Sequence, residues 1–216
     1  MRSRRLADEE VASGITDGPS WVPFEKGDSS GDDGGAAKWR RENPIVIDWS
    51  PEAVELLRTR AVSGVSYRRP RIQNEHLWGK SGVTFNSTAS YLRTRAVPEG
   101  GIFGHKTPVI RPAVAWLAPE SLLALLNAPT LDFVLRTFLG SRMQIEIGDI
   151  RRLPLPVLTA DQASTLEALG RRAIAAKETL DAGTDGDSLD VIEAELDAYT
   201  RDLYGVAADA HLWVVR

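Results

Sequence analysis

The chain has 216 residues, of which 43% are apolar and 26% charged; it carries no cysteine and a formal net charge of −4. That length suits one ordinary domain with an appendage or two small ones, and the lack of cysteine excludes disulfides and thiolate metal sites and fits a reducing, cytoplasmic setting. No apolar run approaches the roughly 18 residues of a membrane span, and MRSRRLADEE at the start has no apolar stretch behind it, which excludes a secretory signal.

In chain order, residues 1–20 are polar, carry Gly14, Gly18 and Pro19, and read as a flexible N-terminus. WVPFEKG (21–27) is short and proline-interrupted, and DSSGDDGGA (28–36) has the composition of a loop. ENPIVIDW (42–49) is rich in β-branched residues and predicts a strand. In SPEAVELLRTR (50–60), Ser50 caps a helix, Pro51 occupies its first position and Glu52 its first turn. Residues 61–112 read as β-rich, with strands at GVTFN (82–86), YLRTRAV (91–97) and PVIRP (108–112) and a turn at PEGG (98–101). APESLLALLNAP (118–129) and PTLDFVLRTFLG (129–140) predict two short core helices divided by Pro129.

IGDIRRLPLPVL (147–158) reads as extended, because Pro154 and Pro156 hold their predecessors out of the helical region. Thr159 and Gln162 have the spacing of a capping box and open a helix to residue 180, with Leu166, Leu169, Ala173, Ala176 and Leu180 on its apolar face. A second helix, 188–205, puts Leu189, Ile192, Leu196, Tyr199 and Leu203 on one stripe and ends at Gly205. The two predict an antiparallel helical hairpin. The fold class is α+β: a mixed or antiparallel β-rich domain with short core helices over 21–158, then a hairpin and tail over 159–216.

The net charge conceals a partition. From Arg58 to Arg111 ten Lys/Arg face two Asp/Glu, a balance of +8; from Val157 to Arg216 five face twelve, a balance of −7. The acidic run reads as a solvated face. The basic run reads as a binding surface. Strand alternation puts Arg93 and Arg95 on one face, YRRPR (67–71) adds Arg68, Arg69 and Arg71 beside an aromatic ring, and Lys80 and Lys106 lie in neighbouring turns. Guanidinium forks match phosphate oxygens and the major-groove edge of guanine, so these seven are the candidate DNA-binding residues. Some of the basic residues are expected to pair with Glu75, Glu99 or the acidic helices, and Arg111 to be structural. Chemistry is sparse. His76, His105 and His211 lack ligand spacing, no phosphate-binding glycine loop or nucleophile elbow occurs, and Glu146 and Asp149 read as loop carboxylates. No metal site is expected, and the chain is not expected to be an enzyme by itself.

Several stretches resemble one family. WVPFEKG, then KW (38–39) and PIVIDW (44–49), are similar to a run that follows the catalytic domain of adenine-specific DNA methyltransferases of the BREX phage-defence type. LWGKSGVTFN (77–86), RAVPEGGIF (95–103) and LLALLNAPTLDFVL (122–135) look like its continuation. IEIGDIRRLPLPVLTADQ (145–162) is similar to the junction that leads from target recognition domain to long helix in type I specificity subunits and type IIG restriction-modification enzymes. The resemblance spans about residues 21 to 205 and implies a TaqI-like C-terminal specificity domain. Such a domain recognises duplex DNA so that a linked or partner methyltransferase can flip and methylate an adenine. The family's catalytic Asn-Pro-Pro-Tyr/Phe motif is not matched, and NPIV (43–46) and NAPT (127–130) do not replace it. The resemblance therefore implies a separated piece of a longer enzyme, with S-adenosylmethionine on a catalytic partner or missing N-terminal part. The alternative is a protein-interaction module that assembles with a methyltransferase subunit, or as a homodimer, through the hairpin stripe without touching DNA.

Overall fold

A computed structural model of the chain describes residues 3–7, 9–10, 20–26, 37–42, 45–63, 74–85, 87, 91–104, 107–139 and 145–210. The fold is α+β and gathers into two compact units, each made of separated stretches of chain. The first is Met1–Gly27, Glu42–Ser81 and Val97–Pro108; the second is Asp28–Arg41, Gly82–Ala96 and Val109–Arg216.

The first unit is built on a four-stranded sheet in the order β1 (Ser3–Arg5), β3 (Ile45–Asp48), β2 (Trp21–Glu25), β6 (Ile102–Phe103). β3 runs antiparallel to both neighbours, with Arg4 opposite Val46 and Val22 opposite Ile47. Its Val46 and Ile47 are buried, as β-branched side chains on a packed pleat should be. β6 joins β2 in parallel only at Phe24 and Glu25, beyond Pro23, which has no N–H to give. Within the N-terminus expected to be flexible, Ser3–Arg5 is instead a strand. Arg4 pairs with Glu10 and lies 5.0 Å over the Trp21 ring. A three-residue charged strand has no hydrophobic alternation, so nothing local announces it. Helix α1 (Pro51–Ser63) starts as its sequence predicts, with the Ala53 N–H donating to Ser50 Oγ at 3.4 Å. The predicted turn at 98–101 is present: Gly100 has φ +83° and its N–H donates to the Gly79 carbonyl, whose own residue has φ +72°. Both angles favour glycine.

The other sheet, all but Val97 of it in the second unit, is β5 (Thr94–Val97), β4 (Gly82–Phe85), β7 (Val109–Ile110) in that order. Every residue of β4 is buried. Helix α2 (Pro119–Leu126) buries six consecutive residues, Ser121 to Leu126, and α3 (Pro129–Val134) continues into a five-residue π-helical turn, Leu135–Leu139. Both helices begin at a proline, whose missing N–H costs nothing there. Segment 147–158, expected to be extended, begins instead as a helical turn, α4 (Ile147–Ile150), closed by a reciprocal capping box between Glu146 and Asp149. These are the carboxylates read as loop residues; their three-residue spacing was the available signal.

The long helices α5 (Ala160–Asp181) and α6 (Leu189–Leu203) form the predicted hairpin. Thr159 and Gln162 make the expected capping box, and Gly205 has φ +63°. Leu166, Leu169, Ala173 and Ala176 are buried as predicted, but Leu180 is 62% exposed because the last turn of α5 runs past the core. The hairpin is not a separate body, as a boundary at 158/159 would make it. α5 packs most extensively against α2, close enough that a Cβ at Gly170 would stand 2.4 Å from the Glu120 carbonyl oxygen. The α6 stripe is also spent internally. Ile192 and Leu196 are 1% exposed, and Leu189, Tyr199 and Leu203 pack on the same core. The alternative of assembly through that stripe thereby loses its docking face. Among the described residues, no single helix is long and apolar enough to cross a membrane.

Candidate nucleic-acid interface

The start of β5 is held by side chains in place of a neighbouring strand. The Leu92 N–H donates to Asp132 Oδ1 at 2.7 Å. The Thr94 N–H donates to Asn127 Oδ1 at 2.9 Å, and Asn127 Nδ2 donates back to the Thr94 carbonyl at 2.9 Å. Trp39 completes the set: its N–H donates to the Thr94 carbonyl at 2.8 Å and its carbonyl accepts from the Ala96 N–H at 2.9 Å. Residues 94 and 96 share one backbone edge of β5, since N–H and C=O groups point to alternate sides along a strand, and Leu92 lies just before it. That edge, a pairing hazard when bare, is thus closed by Asp132, Asn127 and Trp39. Burial raises the Asp132 pKa above its ordinary value, against the opposing pull of the Leu92 N–H and of Arg136, whose Nη1 lies 3.7 Å from Oδ2. Asn127→Leu, similar in volume, would leave the Thr94 N–H buried without an acceptor. It is expected to cost about 1–3 kcal/mol, read as a lower denaturant midpoint at unchanged slope.

This clamp decides where the predicted arginines go. Leu92 and Thr94 are buried, while Tyr91 and Arg93 are partly exposed, with the Arg93 guanidinium 4.4 Å over the Tyr91 ring. Arg95 is 1% exposed. The expectation that Arg93 and Arg95 share an open face is corrected: Thr94 and Arg95, on opposite faces of β5, are both buried, so at these positions alternation does not separate core from solvent. Lys80 is exposed in the turn before β4, within the first unit. Arg68, Arg69, Arg71 and Lys106 lie outside the described residues.

Two other described members of the basic run, Arg58 and Arg111, lie against the protein itself. Arg58 donates to Glu75 at 2.7 Å, an exposed pair of little energetic weight. The Arg111 stem packs over Gly82, where an added Cβ would stand 3.1 Å from Arg111 Cγ and 2.8 Å from Val109 Cγ1. The acidic helices are partly neutralised by the segment around Trp39. Lys38 lies 2.9 Å from Glu193 and Arg40 lies 3.2 Å from Glu178, while the Trp39 indole N–H donates to Glu193 at 2.6 Å. Sequence reasoning missed the Tyr91 platform, although Tyr-x-Arg at a two-residue step was a same-face signal. It also missed the Asn127 and Asp132 clamps, for which no local signal exists. Among the described residues no group of His, Asp and Glu is arranged to hold a metal ion.

No family model matches the sequence, and no curated protein matches it. Solved structures do. The type IIL restriction-modification enzyme MmeI, determined in complex with DNA, superposes with a TM-score of 0.59 at 15% identity over 96% of this chain. At that identity the likeness is one of fold. The chain spans 31% of the length of that MmeI chain.

Proposed function

We infer that this chain is a non-catalytic module that recognises a DNA sequence on behalf of an adenine-specific DNA methyltransferase in a restriction-modification or phage-defence system. The observation that carries this reading is the likeness of nearly the whole chain to part of an enzyme whose structure holds DNA. The basic run from Arg58 to Arg111 supports it independently. So does Arg93, a guanidinium mounted on the braced segment just before β5 and partly open to solvent. Lys80 and Arg93 remain the described candidates for DNA contact, with Arg68, Arg69, Arg71 and Lys106 proposed from sequence alone. Arg95 leaves the set. The partners are duplex DNA and a methyltransferase catalytic domain or subunit, and S-adenosylmethionine is assigned to that partner.

Affinity of the full chain for duplex DNA, measured by fluorescence anisotropy across a salt series, tests the reading. Each phosphate neutralised by Lys or Arg releases a counterion, so log K is expected to fall linearly with log salt, by about 0.9 per phosphate contact. Binding that is absent or indifferent to salt, with the chain at micromolar concentration, overturns the reading. Methyl transfer to DNA by the purified chain alone would overturn its non-catalytic part.

A further inference from the structure

The basic run supplies charge, but charge alone does not read sequence: phosphate contacts position a protein and base contacts specify the site. A base-reading arginine needs a fixed fork, because bidentate recognition of guanine O6 and N7 demands a defined plane and direction. Flexible surface cations lack that. Arg93 has it, for two reasons. The backbone on either side is pinned, at Leu92 by Asp132 and at Thr94 by both polar atoms of the Asn127 amide. The guanidinium itself lies 4.4 Å over the Tyr91 ring, a contact that limits its freedom. Tyr91 and Arg93 are partly exposed, whereas Leu92 and Thr94 between and beyond them are buried. The two side chains therefore stand together on the open side of the braced segment that leads into β5, the arrangement of rigid support that a specific contact requires.

We propose that Arg93, held on Tyr91, is a specificity-determining residue that reads a guanine in the major groove of the bound duplex, with Asn127 and Asp132 as positioning residues behind it. The proposal rests on the DNA-recognition reading above. It separates Arg93 from Lys80, which lies exposed in a turn and whose point charge suits a phosphate.

The experiment is selection of bound duplexes from a randomised pool by the full chain, followed by affinity and salt-slope measurements on the selected site. Wild type, Arg93→Lys, Arg93→Ala, Tyr91→Phe and Tyr91→Ala are compared. Arg93→Lys keeps the charge and loses the fork. It is expected to retain DNA binding with an unchanged salt slope while losing preference for guanine at one position by about 10-fold or more. Tyr91→Phe keeps the ring face and the preference; Tyr91→Ala relaxes the preference at the same position without altering the others. A purely structural role would not move one position selectively. If Arg93→Lys preserves every preference, and Arg93→Ala weakens all sequences alike while lowering the salt slope by about one, Arg93 is a phosphate contact. The proposal then fails while the recognition reading stands. Absence of duplex binding by the wild type sinks both.

Discussion

Trp39→Ala is expected to lower stability by about 3–5 kcal/mol, the usual cost of removing a fully buried tryptophan. Against a total of roughly 5–15 kcal/mol for a domain, that would leave the second unit marginal. Trp39 is 0% exposed and belongs to the main core cluster. Its indole N–H donates to Glu193 on α6, a residue 154 positions away, while its backbone bridges the edge of β5. The residue has φ +69°, a conformation that costs a non-glycine residue about 1–3 kcal/mol. Alanine suffers the same backbone cost, so the comparison isolates the side chain. Trp39→Phe keeps much of the ring and loses the hydrogen bond, and should fall between wild type and alanine. Urea denaturation followed by circular dichroism measures the series. A loss below about 1 kcal/mol for alanine would mean that the ring does not fill the core as described.

Gly170→Ala is the second, because sequence and structure demand opposite signs. By helix propensity alone, alanine in the middle of a 22-residue helix gains about 0.8–1 kcal/mol over glycine. In the folded chain the new Cβ would lie 2.4 Å from the Glu120 carbonyl oxygen and 3.1 Å from its carbon. Both are backbone atoms at the start of α2, so the helices must part. Overpacking of this kind costs about 1–3 kcal/mol and occasionally more, and the net effect is expected to be destabilising. Gly148→Ala is the control: it sits in α4 with nothing within 4 Å of the added atom, and should be neutral or slightly stabilising. Thermal melts that rank Gly170→Ala at or above wild type would refute the close approach of α2 and α5.

Both substitutions touch residues that look unremarkable in the linear chain. Trp39 follows a glycine-rich stretch and Gly170 interrupts a good helix former. Nothing within a few positions says that the first anchors a core or that the second is where two backbones meet. Arg95 teaches the same lesson for the candidate site. Alternation in YLRTRAV correctly indicated a strand, but assigned Arg95 to an open face, because alternation assumes one covered side and one wet side.

Much was nonetheless determined by the sequence alone. The starts of α1 and α5, the α5–α6 hairpin with its inward stripe, the proline-led helices α2 and α3, and the turn at Gly100 depend on neighbours within one or two turns of chain. Capping hydrogen bonds, ring constraints and 3.6-residue periodicity act at that range. The division into two interleaved units, the closure of the β5 edge by Asn127, Asp132 and Trp39, and the burial of Arg95 depend on groups from distant stretches of chain. Those outcomes are set by which surfaces meet, and a surface acquires its partner only when the chain has folded.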